Sequence, residues 1–188
     1  MINIEDLYIV HYCHSSCKPF MNICRLPEQE AFSQAYKMAA DNPNTTAFYR
    51  FGDFENYYPR RMMTDEYLYN LFLSLGGNPK EKHPLSFVFQ GSEFLDNWFG
   101  NGTKIKIKLI NIPADSISFT LGDSMAVTKK NGIMVKEIQN GKLTMHTKDE
   151  LIKIINNYNG TINDFMSEIT KKHTYIEAQL WNDDYCKV

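Results

Sequence analysis

Residues 6–14 alternate with a period of two. Leu7, Ile9, His11 and Cys13 fall on one face and Tyr8, Val10, Tyr12 and His14 on the other, which is the signature of a β-strand. Near the other end of the chain, "TYIEAQLW" (174–181) repeats the pattern, with Tyr175, Glu177, Gln179 and Trp181 on one face and Ile176, Ala178 and Leu180 on the other. The second strand is the more demanding of the two. It carries a carboxylate in the middle of an apolar run, and burying a carboxylate without a partner is costly, so the strand either lines a cleft or pairs the charge.

Between these strands lie the helical signals. Leu26-Pro27 opens a helix through about Ala40: proline suits the first turn, Glu28 and Glu30 suit the positive end of the dipole, and Ala31, Phe32, Ala35, Met38 and Ala39 form an apolar stripe. The segment "TAFYRFGDFENYYPRR" (46–61) shows neither period cleanly and is predicted to be a short strand followed by an irregular, ligand-capable loop. Thr64 then caps a helix through Leu75 that Gly76-Gly77 stops. Strands are predicted at 85–89, 104–110 and 116–120, with Ser92 capping a short helix closed by Gly100. "LGDSM" (121–125) is a tight turn in which Gly122 supplies the unusual dihedral and Asp123 or Ser124 closes on the backbone. Thr147 to Glu150 is a capping box, and Thr161 begins another helix through about Lys171. No repeat, low-complexity tract or linker interrupts the pattern, so residues 1–188 are expected to form one α+β domain, a mixed or mainly antiparallel sheet with flanking helices.

A chain of 188 residues is long enough to bury about two-thirds of its unfolded surface in a core without staples. Its formal charge of −2 excludes a broad electrostatic footprint for nucleic acid and leaves room only for a local basic patch. "MINIEDLYIV" lacks the basic and apolar regions of a signal peptide, and no window approaches a membrane span; a cytoplasmic protein with no membrane partner is expected. In that compartment Cys13, Cys17, Cys24 and Cys186 are free thiols. Cys13-x3-Cys17-x6-Cys24 with His11 and His14 offers soft ligands, but strand alternation sends His11 and His14 to opposite faces, so no metal is expected. Walker, dinucleotide Gly-x-Gly-x-x-Gly, His-Glu-x-x-His and Gly-x-Ser-x-Gly patterns are absent, which removes kinase, metalloprotease and serine-hydrolase readings.

"LYIVHYCHS" resembles the first strand of the diphtheria-toxin and poly-ADP-ribose-polymerase branch of ADP-ribosyltransferase folds, and "YIEAQLW" resembles the late strand that carries their catalytic glutamate. "SISFTLGDSM" (116–125) is similar to a central strand of such folds. The Gly-Asp-Ser and Tyr-Ile-Glu-Ala-Gln patches are also similar to those of a family of uncharacterised bacterial proteins. The patches cover about a sixth of the chain. The order glutamate then glutamine reverses the Gln-x-Glu of the arginine-modifying branch, so the resemblance names no target residue.

What the resemblance implies is an ADP-ribosyltransferase-like fold that uses NAD as co-substrate to modify a protein or nucleic-acid acceptor, or that hydrolyses NAD. Glu177 would stabilise the oxocarbenium charge that develops on the ribose and Gln179 would orient the acceptor. His11 would hold the nicotinamide ribose, Tyr57 or Tyr58 would stack on nicotinamide, and Arg50 or Arg60 would fork the pyrophosphate. A single-domain enzyme of this kind is expected to be a bacterial toxin or phage-defence effector with an antitoxin or immunity partner. Two other classes stay open. In a non-enzymatic interaction protein, Glu177 is a structural ion-pair member and the arginine-aromatic segment is a docking surface, with Arg50 and Arg61 paired to Asp53 and Glu55. A metal-independent ribonuclease would cluster His11, His14, His83, His146 or His173 with a lysine around a basic groove.

Overall fold

The structure, a computed structural model, describes residues 3–186. Among them one antiparallel sheet forms from β1 (Tyr8–Cys13), β2 (Leu85–Phe89), β3 (Thr103–Lys108), β4 (Ile117–Thr120), β7 (Met145–Thr147) and β8 (Glu177–Leu180), in the order β3-β1-β2-β8-β4-β7. The α+β expectation holds at this level, and the sheet is antiparallel throughout its described ladders. A separate hairpin joins β5 (Val127–Lys130) to β6 (Ile133–Lys136). Its turn is Asn131-Gly132, both at positive φ (51° and 81°), as a two-residue hairpin requires. No helix among the described residues is long and apolar enough to cross a membrane.

The two faces of the sheet do different work. Leu7, Ile9, Leu85, Phe87, Phe89, Phe119, Ala178 and Leu180 face α4 (Lys148–Asn157) and α5 (Ile162–His173), which contribute Leu151, Ile155 and Phe165. Capping boxes start both helices, Thr147 with Glu150 and Thr161 with Asp164. The opposite face receives α2 (Phe54–Ser74), whose Leu68 and Phe72 pack against Trp181, with the Phe72 and Trp181 rings stacked 5.4 Å apart. Farther out, α1 (Glu28–Asp41) and a 3-10 helix (Thr46–Asp53) lean on the start of α2 through Ala31, Ala35 and Phe54. The short α3 (Glu93–Trp98) follows β2.

The largest difference from the sequence reading is residues 46–61. They form neither strand nor loop: a 3-10 helix runs directly into α2, which starts ten residues before Thr64. Pro59 conceals this helix in the sequence. It sits in the second turn and forfeits only the one bond its nitrogen would have donated to the Glu55 carbonyl. Thr64 is inside the helix, its hydroxyl donating to the Arg60 carbonyl at 2.8 Å. The apolar side of this segment is also too aromatic for a simple stripe, because Phe51, Phe54 and Tyr57 pack on one another edge-on or tilted at centroid distances of 5.5–5.9 Å.

Candidate functional site

Between the α2 face of the sheet and the helical layer lies a cleft of about 610 Å³. Glu177 stands on its floor, 5% exposed. The register sets this position: Glu177 is opposite Val88 on β2 and Thr120 on β4, so its side chain shares their face. The chain then turns straight after Thr120. Gly122 takes φ 118°, its carbonyl accepts from the Thr120 hydroxyl at 2.9 Å, and Asp123 Oδ1 accepts from the Met125 N–H at 2.8 Å. This folds the Ser124 N–H onto Glu177 Oε2 at 2.7 Å. The turn predicted at "LGDSM" is present, and its product is a main-chain donor to the Glu177 carboxyl. Burial first, and then the neighbouring Asp123, hold the Glu177 carboxyl above the ordinary range for a carboxylate.

Cations face that carboxyl. Arg61 on α2 reaches the cleft with its Nε 2.8 Å from Asp65 Oδ1, a fully buried carboxylate whose other oxygen is 2.9 Å from His83 Nδ1. Arg61 Nη2 is buried with no hydrogen-bond partner among the described residues. A buried unpaired guanidinium nitrogen is expensive, and here it belongs to a residue that lines the cleft. Arg50 also borders the cleft, its Nη2 4.0 Å from Asp123 Oδ2 and its guanidinium carbon 5.5 Å from the Trp98 ring centre and 5.7 Å from that of Tyr49. Outside the cleft lining, Lys136 at the end of β6 is 8% exposed, and its amine donates to the Met125 sulfur at 3.5 Å. Burial, followed by the charges of Arg60 and Arg61, pushes this amine down to about 8. Tyr57, Phe94, Trp98 and Tyr175 complete the walls; burial pushes the Tyr57 phenol up.

Of the residues singled out in the sequence, the cleft therefore gathers Glu177, His11, Arg50 and Tyr57 along its lining. Tyr58 is turned toward α1, its ring 5.4 Å from that of Phe32, and Arg60 is exposed; neither lines the cleft. Gln179 shares the Glu177 face but is wholly buried: its Oε1 accepts from the Ser118 hydroxyl at 2.9 Å, its Nε2 donates to Thr120 Oγ1 at 3.1 Å, and Ser118 Oγ accepts from the Trp181 indole at 2.8 Å. No acceptor can reach it. His11 borders the cleft with neither ring nitrogen free. Its side chain lies on the opposite face, beside the Phe87 and Phe20 rings at 5.2 Å. Both ring nitrogens are engaged: Nδ1 with the Ser86 carbonyl at 3.0 Å, and Nε2 accepting from the Phe20 N–H at 3.2 Å. That fixes a neutral Nδ1–H tautomer and leaves no donor for a ribose, while burial lowers its basicity. The register between strands separates His11 from Glu177, since Val10 is opposite Val88 and Val88 is opposite Glu177.

The paired-arginine expectation also changes partners. Arg50 points to Asp123 and Arg61 to Asp65, not to Asp53 and Glu55. The histidines share no hydrogen bond or ring contact with one another among the described residues; His14 binds Ser16, for example, and His83 binds Asp65. Glu177 forms no ion pair with a lysine, arginine or histidine among the described residues within 4.0 Å. Arg61 and Trp98, which line the cleft, were missed as site residues. Tyr57, Arg61 and Asp65 recur at i, i+4 and i+8, which places them on one helical face as soon as α2 is started at Phe54. The Asn131-Gly132 hairpin signal would have placed Lys136.

No family model matches the chain, and comparison with curated proteins and with solved structures likewise yields no match.

Proposed function

We propose that the protein consumes NAD, as an ADP-ribosyltransferase or NAD glycohydrolase, in the cleft floored by Glu177. The observation that carries this reading is the polarity of the cleft: a carboxyl pair, Glu177 and Asp123, faces an unpartnered Arg61 nitrogen and Arg50 between aromatic walls. NAD has the complementary pattern, a cationic nicotinamide ribosyl end, an anionic pyrophosphate and two planar rings. Loss of nicotinamide builds positive charge on the ribose, and a buried carboxylate there is worth far more than one in water. A cationic ligand also favours the ionised form of Glu177, because its charge opposes the burial and Asp123 repulsion that raise the carboxyl.

In this reading Glu177 is the charge-stabilising residue and Arg61 with Arg50 holds the phosphates. Tyr57 or Trp98 stacks on a ring. Gln179 positions Glu177 by tying β8 to β4, and His11, at the border of the cleft, locks β1 to β2 through its two engaged ring nitrogens. An acceptor macromolecule and an antitoxin-like or immunity partner belong to the same proposal. A second reading has one observation of its own: the cleft mouth exposes Tyr49 (62%), Phe94 (49%) and Met21 (49%), a rim of the kind that docks protein partners.

The test is nicotinamide release by the purified protein, with and without cell extract, beside Glu177→Gln. The variant can still accept from the Ser124 N–H and should remain folded, and release should fall at least 100-fold. Absence of release together with absence of an NAD-dependent thermal shift overturns the enzyme reading and directs attention to the aromatic rim.

A further inference from the structure

We propose that the open sheet surface beside the cleft, centred on β3, binds single-stranded nucleic acid. β3 is an edge strand, and its register puts Lys104 opposite Tyr12, Lys106 opposite Val10 and Lys108 opposite Tyr8. The three lysines thus share one face with two tyrosines, while Ile107 turns to the core on the other. All three lysines are exposed. Along an extended strand, alternate residues stand about 7 Å apart, so the row is a line of evenly spaced cations. Lysines on an edge strand also discourage pairing with another chain, but that purpose does not require a tyrosine opposite every second lysine.

The same face is carved into a groove of about 480 Å³ lined by Tyr8, Tyr12, Gly91, Ser92, Lys104 and Lys106, among others. Its tyrosines are held in place from behind. The Tyr8 hydroxyl donates to the Gln90 carbonyl at 3.2 Å, and the Tyr12 hydroxyl accepts from the Ser92 N–H at 2.9 Å. Lys106 Nζ stands 3.3 Å above the Tyr8 ring centre, and Lys104 is paired with Asp96 at 2.8 Å. Lys108 appears in none of the ion pairs of the described residues. Fixed aromatic rings interleaved with cations on a sheet surface are the chemistry by which single strands are held, bases on rings and phosphates on lysines.

The groove is continuous with the cleft. Val10 and Tyr12 line both, and α3 forms the ridge between them, showing Glu93 and Asp96 to the groove and Phe94 and Trp98 to the cleft. A strand lying on β3 is thereby led past Tyr12 toward the Phe94 and Trp98 rings. The net charge of −2 for the whole chain makes this binding local: a few phosphates, with affinity set mainly by low salt. Binding stands on the surface itself; only the statement that the bound strand is the acceptor rests on the NAD reading.

Fluorescence anisotropy with labelled 20-nucleotide DNA and RNA, without NAD and from 25 to 200 mM salt, tests the surface. The wild type should bind, and Lys106→Gln/Lys108→Gln should bind roughly tenfold more weakly at the lowest salt. Its slope of log affinity against log salt should be shallower by about 0.7 for each lysine removed. Lys153→Gln, on the far helix α4, should match wild type, and Lys108→Gln alone decides if the double variant aggregates. No binding at 25 mM salt, equal binding by the lysine variants, or equal binding of poly-glutamate overturns the proposal. Incorporation of labelled NAD into the same oligonucleotides is scored separately. Binding without incorporation overturns only the statement that the bound strand is the acceptor and leaves the surface standing, and nicotinamide release without oligonucleotide binding overturns the surface and leaves the NAD reading standing.

Discussion

Lys136→Met should make the protein more stable at neutral pH. The amine is 8% exposed, donates to a thioether sulfur, and is pushed down to about 8 from an ordinary 10.5 by burial and by Arg60 and Arg61. At about 1.4 kcal/mol for each tenfold change in proton affinity, that depression corresponds to roughly 3 kcal/mol of folding free energy opposing the protonated lysine. Solvent screening of the ammonium cuts this, and about 1–3 kcal/mol is the expected gain when the charge is removed. The sign follows from proton linkage: between pH 8 and 10.5 the unfolded chain binds the proton that the folded chain has lost, so wild-type stability from this group rises across that window. The advantage of the methionine variant, which keeps the unbranched shape beside Met125, should therefore be full at pH 7, shrink from pH 8 upward and vanish near pH 10.5. Urea denaturation at pH 7, 8.5 and 10 measures it. A variant less stable than wild type at pH 7, or a difference that does not change with pH, refutes the crowding of cations beside the cleft.

Two other substitutions probe what holds the cleft floor. Ser118→Ala removes the hydroxyl that both donates to Gln179 and accepts from the Trp181 indole; two buried groups lose partners, at about 1–3 kcal/mol each, and a melting temperature lower by less than about 3 °C would contradict the network. His11→Gln should cost about 1–2 kcal/mol at pH 7 through its two hydrogen bonds. Because burial lowers the folded-state basicity of His11, its contribution is present above the unfolded value near 6.5 and is lost as pH falls below it. Wild type should thus lose stability faster than the variant between pH 7 and pH 5, and parallel losses in chemical denaturation would show that His11 is not held neutral.

Local chemistry wrote much of the fold plainly. Period-2 alternation marked β1 and β8, Thr147 with Glu150 announced α4, and Gly122 marked the turn that carries Ser124. Each is a property of neighbouring residues. Where the sequence reading went astray, two causes operated. Pro59 and a dense run of aromatic residues hid ten residues of α2, and with them the shared face of Tyr57, Arg61 and Asp65. The hairpin of β5 and β6 was legible in Asn131-Gly132 and was overlooked, and with it Lys136.

The candidate site divides along the same line. That Glu177 must line a cleft or pair its charge followed from a carboxylate set among Ile176, Ala178 and Leu180, since burial of an unpaired charge is costly wherever it occurs. That it lines a cleft together with Arg61, on the sheet face opposite the His11 side chain, was decided by strand order. With β2 between β1 and β8, the ladder sets Glu177 on the face of Val88 and Val10, and His11 on the reverse. Alternation tells which residues of one strand share a face; only the register between strands, fixed by long-range hydrogen bonds and core packing, tells which faces coincide.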